Sequence, residues 1–275
     1  MSSAIPIIVG KVGSMALIRQ EDNDVNYNII ARLASELRPG MVWVTSGAAE
    51  IGRVDYMRRH KRPIEEDRLD AKTDYASQGQ MILMQNYRQF IAPEFSVRQI
   101  LVEHQHFNDP EKREHIRRLL LRCAAQDAIP IVNYNDPVSV EENRRFELAH
   151  LRDHGAEPVE CVDNDETAAV IAELLGADIL VIMTSADGLY ADPSDRSTLI
   201  REIIAGEPDE LERIINKMKD SCRGASRAGA NGMAAKLQYV LRPAKAGARV
   251  IIGNAKYRIH DLIEGNAPRT FIGLR

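Results

Sequence analysis

Short, unbroken runs of β-branched and aliphatic residues recur along this chain, each followed by a longer amphipathic stretch. That alternation constrains the fold more than any other feature. Ile5–Val12, Met41–Thr45, Val97–Val102, Ile129–Asn133 and Ile179–Met183 read as strands, and Val250–Ile252 and Thr270–Ile272 close the pattern as short ones. Between them, Asn23–Leu37, Asp70–Ile91, Glu111–Gln126, Asp165–Leu175, Glu207–Lys219 and Gly232–Ala246 read as helices. In the first helix Ile29, Ile30, Leu33, Ala34 and Leu37 share a face, and Pro39-Gly40 ends it. Met81, Met84 and Tyr87 form a stripe in the second, with the methionines as core filling. Pro243 breaks the last helix late. Apolar runs without alternation suit strands buried on both faces of a parallel sheet. Strands separated by helices imply crossover connections. The expectation is α/β, with a mainly parallel central sheet and helices on both faces. No repeat or low-complexity linker divides residues 1–275, so one domain is expected.

Composition narrows the partners. The 36 Lys and Arg against 40 Asp and Glu leave a net charge of −4, which calls for neither nucleic acid nor a membrane surface. No apolar stretch approaches the roughly 20 residues of a bilayer span, and the first residues lack the basic start and apolar run of a signal peptide. Cys123, Cys161 and Cys222 show neither disulfide nor metal spacing, and none adjoins a histidine. A cytoplasmic setting without a catalytic thiol is expected.

In open parallel sheets, ligands bind at the carboxyl ends of the strands. Lys11, Gly13 and Ser14 follow the first strand; glycine admits backbone N–H groups to an anion and lysine adds a point charge. Ser46 and Gly47 follow the second and lead into a helix, as an anion site or simply as a cap and turn. Asn133–Asp136 follow the fourth, and Asp163, Asn164 and Asp165 precede a helix that Asp163 or Asn164 could cap. Thr184 and Ser185 open a polar loop. Gly229–Lys236 reads as a glycine-containing loop entering a helix, with Lys236 in its first turn. Neither the Lys11–Ser14 segment nor the turn at Ser46 and Gly47 has Walker A spacing. Two loop-plus-lysine elements and an acidic cluster suggest phosphoryl transfer, which is catalysed mostly by positioning and charge neutralisation. Outside this set, Arg58–Arg62 reads as a solvated basic run and Trp43 as strand packing. His104 and His106, two apart on a strand, point the same way but lack further zinc ligands.

Taken in order, Lys11–Ser14, Val44–Ala48, Gly79-Gln80, Ile131–Asp136, Asp163–Asp165, Ala177–Tyr190 and Gly232–Leu237 resemble the amino acid kinase family, and within it the glutamate 5-kinases. The resemblance spans nearly the whole chain. It implies a three-layer α/β/α sandwich like that of the carbamate kinases, an acceptor-binding part at roughly residues 1–165 and a nucleotide-binding part at roughly 166–275. It implies transfer of the ATP γ-phosphoryl group, with Mg²⁺ accompanying the nucleotide, to a carboxylate such as the γ-carboxylate of glutamate. Lys11 and Lys236 would neutralise the moving group and Asp165 would hold both. Gly13, Ser14, Ser46, Gly47, Asp136 and Asn164 would bind the acceptor, with Asp136 facing its ammonium. Thr184, Ser185, Ala230, Asn231, Gly232, Met233 and Lys236 would bind the nucleotide, and no side chain would ligate the metal directly. The resemblance also implies a homodimer or homotetramer, a reductase that consumes the acyl phosphate, and, with the chain ending at Arg275, no PUA domain.

The sequence departs from that family at three places. Ala230, Asn231 and Ala235 replace Thr, Gly and Thr in the nucleotide loop. Ser185 replaces an Asp. Tyr134 replaces a Glu and precedes a long charged segment, 137–162, that carries Arg144 and Arg145. These departures keep two alternatives open. One is a kinase of another small acid, including a phosphate or phosphonate that Arg144 or Arg145 would bind. The other is a non-catalytic binding homologue.

Overall fold

The computed structural model describes residues 6–139, 141–155, 157–161, 163–192, 194–223 and 230–275, with the side chains of 141–143, 221–223, 230 and 231 excepted. In chain order the elements are β1 (Ile8–Val12), α1 (Tyr27–Glu36), β2 (Met41–Thr45), α2 (Ala48–His60), α3 (Arg68–Phe90), β3 (Ser96–Val102), α4 (Gln105–Asn108), α5 (Pro110–Ala124), β4 (Ala128–Tyr134), α6 (Glu141–Asp153), α7 (Asn164–Leu175), β5 (Ile179–Thr184), β6 (Leu189–Tyr190), β7 (Leu199–Ile200), β8 (Glu202–Ala205), α8 (Pro208–Arg223), α9 (Ala230–Lys245), β9 (Arg249–Asn254), α10 (Ile259–Glu264) and β10 (Arg269–Leu274).

Eight strands form one sheet in the order β3-β4-β2-β1-β5-β9-β10-β8, while β6 and β7 pair separately. All neighbours in the large sheet run parallel except β9 and β10. The chain passes from β1 to β2 on one side and later enters β5 on the other, so the order reverses at β1. That is where a parallel sheet opens a crevice.

Each central strand divides its side chains between two cores, as the two-residue period requires. Val9, Val44, Leu180 and Ile182 join Ile116, Ile171, Leu211 and Leu237 of α5, α7, α8 and α9. Trp43, Ile131, Val181 and Ile251 join Ile30, Ile51, Leu83 and Leu262 of α1, α2, α3 and α10. The result is a three-layer α/β/α sandwich. Gly10 pairs with Trp43 across β1 and β2, and a Cβ there would stand 2.3 Å from the indole Cζ3, so the tryptophan requires a residue without a side chain. Trp43 Nε1 donates to Tyr87 OH at 2.9 Å, which also meets Thr45 Oγ1 at 2.9 Å. Burial pushes the Tyr87 hydroxyl up to about 12 against these two bonds.

The structure departs from several expectations. The first helix begins at Tyr27, capped by Asn26, and Ile18 bridges Val25 ahead of it. Met81 is 72% exposed; the buried stripe of α3 runs through Tyr75, Gly79, Leu83 and Tyr87, and Met81 falls outside it. His104 and His106 sit at a helical turn, not on a strand; His104 Nε2 meets Glu147 Oε2 at 2.6 Å, and His106 Nδ1 accepts from the Glu103 N–H. The segment after Asp136 holds α6, whose few apolar residues gave little periodic signal. α9 continues through Pro243 to Lys245, since a proline so near the end removes only a terminal-turn bond. Arg58, Arg59 and Arg62 pair with Asp24, Asp55 and Glu65 on the surface. Among the described residues, no helix is long and apolar enough to cross a membrane.

Candidate active site

Lys11 follows Val9 on the face of β1 covered by α7, and the side chain is buried. Asp163 caps α7 by accepting from the N–H groups of Asp165 and Glu166 at 2.7 and 3.1 Å. The cap places Asp165 in the first helical turn, where the helix N-terminus favours a negative charge. Lys11 Nζ lies 2.5 Å from Asp165 Oδ1, and Lys236 Nζ of α9 lies 2.8 Å from Asp165 Oδ2. Burial pushes the Asp165 carboxyl up, but the two lysines outweigh it and hold it below the usual carboxylate range. The site thus holds two ammonium groups bridged by one ionised carboxylate. A Cβ on Gly13 would stand 3.5 Å from Lys11 Nζ, so this glycine keeps the space beside the ammonium group open.

A cleft opens on each side of this triad. The first is lined by residues between Ser14 and Asn164, among them Ser46, Gly47, Asn133 and Asp136. Asn164 Nδ2 faces Ser46 Oγ at 3.1 Å, Thr45 O at 3.0 Å and Asn133 Oδ1 at 2.9 Å, which ties the ends of β2 and β4 to α7. Gly47 takes φ +98° to turn β2 into α2, a conformation that favours glycine. Asp136 lines the same cleft, and its Oδ1 meets Lys72 Nζ of α3 at 2.9 Å. Cys161 also lines it, but burial pushes that thiol up to about 12, which leaves it unsuited to act as a nucleophile near neutral pH.

The second cleft is lined by residues between Thr184 and Lys256, including Ser185, Gly232, Met233 and Lys236. Thr184 Oγ1 accepts from the Ala186 N–H at 2.9 Å, and Asn254 Nδ2 donates to Ser185 O at 2.9 Å. These bonds pin the loop after β5 to the end of β9. α9 already begins at Ala230, so Gly232 and Met233 are helical and Lys236 stands in the second turn, not in a loop-proximal first turn. The side chains of Ala230 and Asn231 lie outside the described residues.

The structure therefore gathers Lys11, Asp165 and Lys236 at one point, places Ser14, Ser46, Gly47, Asp136 and Asn164 around one cleft, and places Thr184, Ser185, Gly232 and Met233 around the other. Sequence reasoning missed Lys72 and Lys256. Lys256 follows β9 and pairs with Asp187 at 2.9 Å, so attention to every strand end would have found it. Lys72 lies within a long helix with no local signature. Among the described residues, no group of three His, Cys, Asp or Glu side chains could hold a metal ion.

The sequence signature of the Amino acid kinase family matches residues 6–254. The glutamate 5-kinase of Burkholderia mallei is 32% identical over 262 residues, covering 91% of this chain and 63% of that protein. That of Burkholderia ambifaria is 31% identical over 259 residues, covering 90% and 62%. The chain thus spans less than two thirds of the length of these relatives. Among solved structures, a Giardia carbamate kinase superposes with a TM-score of 0.62 at 14% identity, covering 99% of this chain and 100% of that one. An isopentenyl phosphate kinase of T. acidophilum superposes at 0.54 and 13% identity, covering 97% and 99%. At such identity these likenesses speak to the fold alone.

Proposed function

The chain belongs to the amino acid kinase family, and from that premise we propose that it transfers the γ-phosphoryl group of ATP to the carboxylate of a small amino acid, glutamate first among the candidates. The observation that carries this reading is the Lys11–Asp165–Lys236 triad standing between two clefts. Asp165 is already engaged by both lysines and sits below the usual carboxylate range, so it is a poor base for a hydroxyl acceptor. A carboxylate is ionised near neutral pH and needs no base. Its oxygen forms the new bond to phosphorus as the bond to the ADP oxygen breaks, and no proton moves. Lys11 and Lys236 offset the charge on the phosphoryl oxygens during transfer.

Every residue lining the first cleft precedes Asp165, and every one lining the second follows it. This supports an acceptor-binding part at roughly 1–165 and a nucleotide-binding part at roughly 166–275. Ser14, Ser46, Gly47, Asp136 and Asn164 would hold the acceptor. Thr184, Ser185, Gly232, Met233 and Lys236 would hold the nucleotide, with Ala230 and Asn231 at the start of the same helix. Mg²⁺ keeps much of its water shell and prefers phosphate oxygens, so it would enter with ATP and supply charge neutralisation there. The acyl phosphate product is labile, and a reductase that consumes it is the natural partner.

One observation favours a second acceptor class: Arg144 of α6 lines the first cleft, as a phosphate or phosphonate acceptor would require. The test is ADP release from MgATP with glutamate, aspartate, N-acetylglutamate and simple phosphonates, with hydroxylamine added to trap acyl phosphates. Hydroxamate formation with glutamate is expected. ADP release without hydroxamate would move the assignment to a phosphate or phosphonate. Nucleotide binding without turnover on any of these acids would favour an untested acceptor or a non-catalytic binding homologue.

A further inference from the structure

The Lys72–Asp136 pair lies in the first cleft, away from the triad. Lys72 stands in the first turns of α3, and Leu69 and Thr73 line the cleft beside it. Asp136 opens the short helical turn that follows β4. Their 2.9 Å contact is open to water, with the Lys72 side chain 58% exposed and that of Asp136 25%. An ion pair so exposed adds little to stability, and opening it costs correspondingly little.

An α-amino acid carries an ammonium and a carboxylate on one carbon. Against an adjacent Lys and Asp, those two charges meet their opposites in matching order. With Asp136 facing the ammonium, as the family resemblance implies, we propose that Lys72 receives the α-carboxylate of the acceptor and is a specificity-determining residue for it. This inference rests on the reading of the site as a carboxylate kinase. On binding, the internal pair opens, Asp136 accepts from the ammonium, and Lys72 donates to the α-carboxylate. One ion pair is replaced by two.

The same arrangement rejects near neighbours of the substrate. An amine without an α-carboxylate must displace Lys72 and leave it without an anion. A diacid without an ammonium meets the Asp136 charge. Placement supports the assignment further. α3 is held against α2 by a close glycine crossing, in which a Cβ on Gly79 would stand 1.8 Å from Ala48 O, so Lys72 is carried on a firmly positioned element. Ser46 and Asn164 line the same cleft, and Asn164 adjoins Asp165. A side chain extending from the Lys72–Asp136 end can therefore present its distal carboxylate to the triad. Arg144 lines this cleft as well and is the competing cation for the α-carboxylate.

The test is calorimetric titration of the wild type, Lys72→Met, Lys72→Arg and Arg144→Met, with Mg²⁺ and a non-hydrolysable ATP analogue present. The ligands are L-glutamate, glutarate, which lacks the ammonium, and 4-aminobutyrate, which lacks the α-carboxylate. The wild type should bind L-glutamate at least about tenfold more tightly than either analogue, the loss expected for one charge-assisted hydrogen bond. Lys72→Met should weaken L-glutamate by about tenfold and leave 4-aminobutyrate unchanged or tighter, while Lys72→Arg restores most of the affinity. In turnover, Lys72→Met should raise the glutamate KM with kcat nearly unchanged. The proposal is overturned if Lys72→Met binds L-glutamate like the wild type, if it weakens 4-aminobutyrate equally, if Arg144→Met alone carries the discrimination, or if the wild type binds no L-glutamate. Failure of the kinase reading looks different: the binding series holds, but no hydroxamate forms.

Discussion

Replacing Asp165 with Asn tests the centre of the site, because it removes one charge and almost no volume. In the wild type both carboxylate oxygens are taken, one by Lys11 at 2.5 Å and one by Lys236 at 2.8 Å. Without the negative charge, two ammonium groups about 5–7 Å apart repel by about 2–3 kcal/mol at an effective dielectric of about 20. Removing one member of a buried ion pair costs about 3–5 kcal/mol. Lys236 is 26% exposed and can swing toward water, whereas Lys11 at 8% cannot, so the lower end applies, about 3 kcal/mol. For a chain of this size that lowers Tm by about 6–12 °C. Released lysines no longer converge on one point, and a displacement of about 1 Å costs about 10²-fold in rate. Differential scanning calorimetry and ADP release should therefore register both losses together. The pH dependence adds a check on sign. The Asp165 carboxyl is held low in the folded protein, so its stabilisation is present above about pH 4 and is lost as pH falls through the folded value. The Tm gap between wild type and Asp165→Asn should accordingly narrow in acid. A variant with wild-type Tm and a kcat within a few-fold of wild type would refute the triad as the organising charge centre.

Lys236→Ala should lower kcat by orders of magnitude with little change in Tm, since this lysine is partly exposed; ordinary turnover would sink its assignment. Gly79→Ala places a Cβ 1.8 Å from Ala48 O, so it should cost at least about 1–3 kcal/mol and raise the acceptor KM while nucleotide affinity holds; calorimetry and steady-state kinetics read both. Tyr87→Phe leaves the buried Trp43 N–H without its acceptor, at about 1–3 kcal/mol in denaturant melts. The Tyr87 hydroxyl titrates at about 12 in the fold but near 10 when unfolded, so wild-type stability should fall from about pH 10 upward. Tyr87→Phe should lack that alkaline component, and identical alkaline profiles would count against it.

The central strands were legible because burial on both faces forces unbroken apolar runs, and Met41–Thr45 begins and ends where the sequence placed it. Lys11 and Asp165 were legible as candidates because strand and helix ends expose side chains to a crevice, whereas the bridging of Lys11 and Lys236 by Asp165 was implied only by the family resemblance. β8 was not, because Glu202–Ala205 is four residues long and lies at a sheet edge. α6 was hidden by its charge: Phe146 is 69% exposed and Leu148 buried, so its few apolar residues do not share one face. The Lys72–Asp136 contact joins residues 64 apart in sequence, and neither neighbourhood marks the other.

The glycine crossing of α2 and α3 has a consequence for redesign. Gly52 and Gly79 allow the two backbones to touch, so a Cβ on either would enter the other helix within 2 Å of a carbonyl oxygen. Ala48 and Lys72, carried by those helices, both line the first cleft, so that wall behaves as a single casting that cannot be reshaped piecemeal. α6 is different: it brings Arg144 to the cleft, its Leu148 is buried, and its Glu147 meets His104. Efforts to re-aim this pocket at another acid should leave the cast wall untouched and begin at residues 144–148.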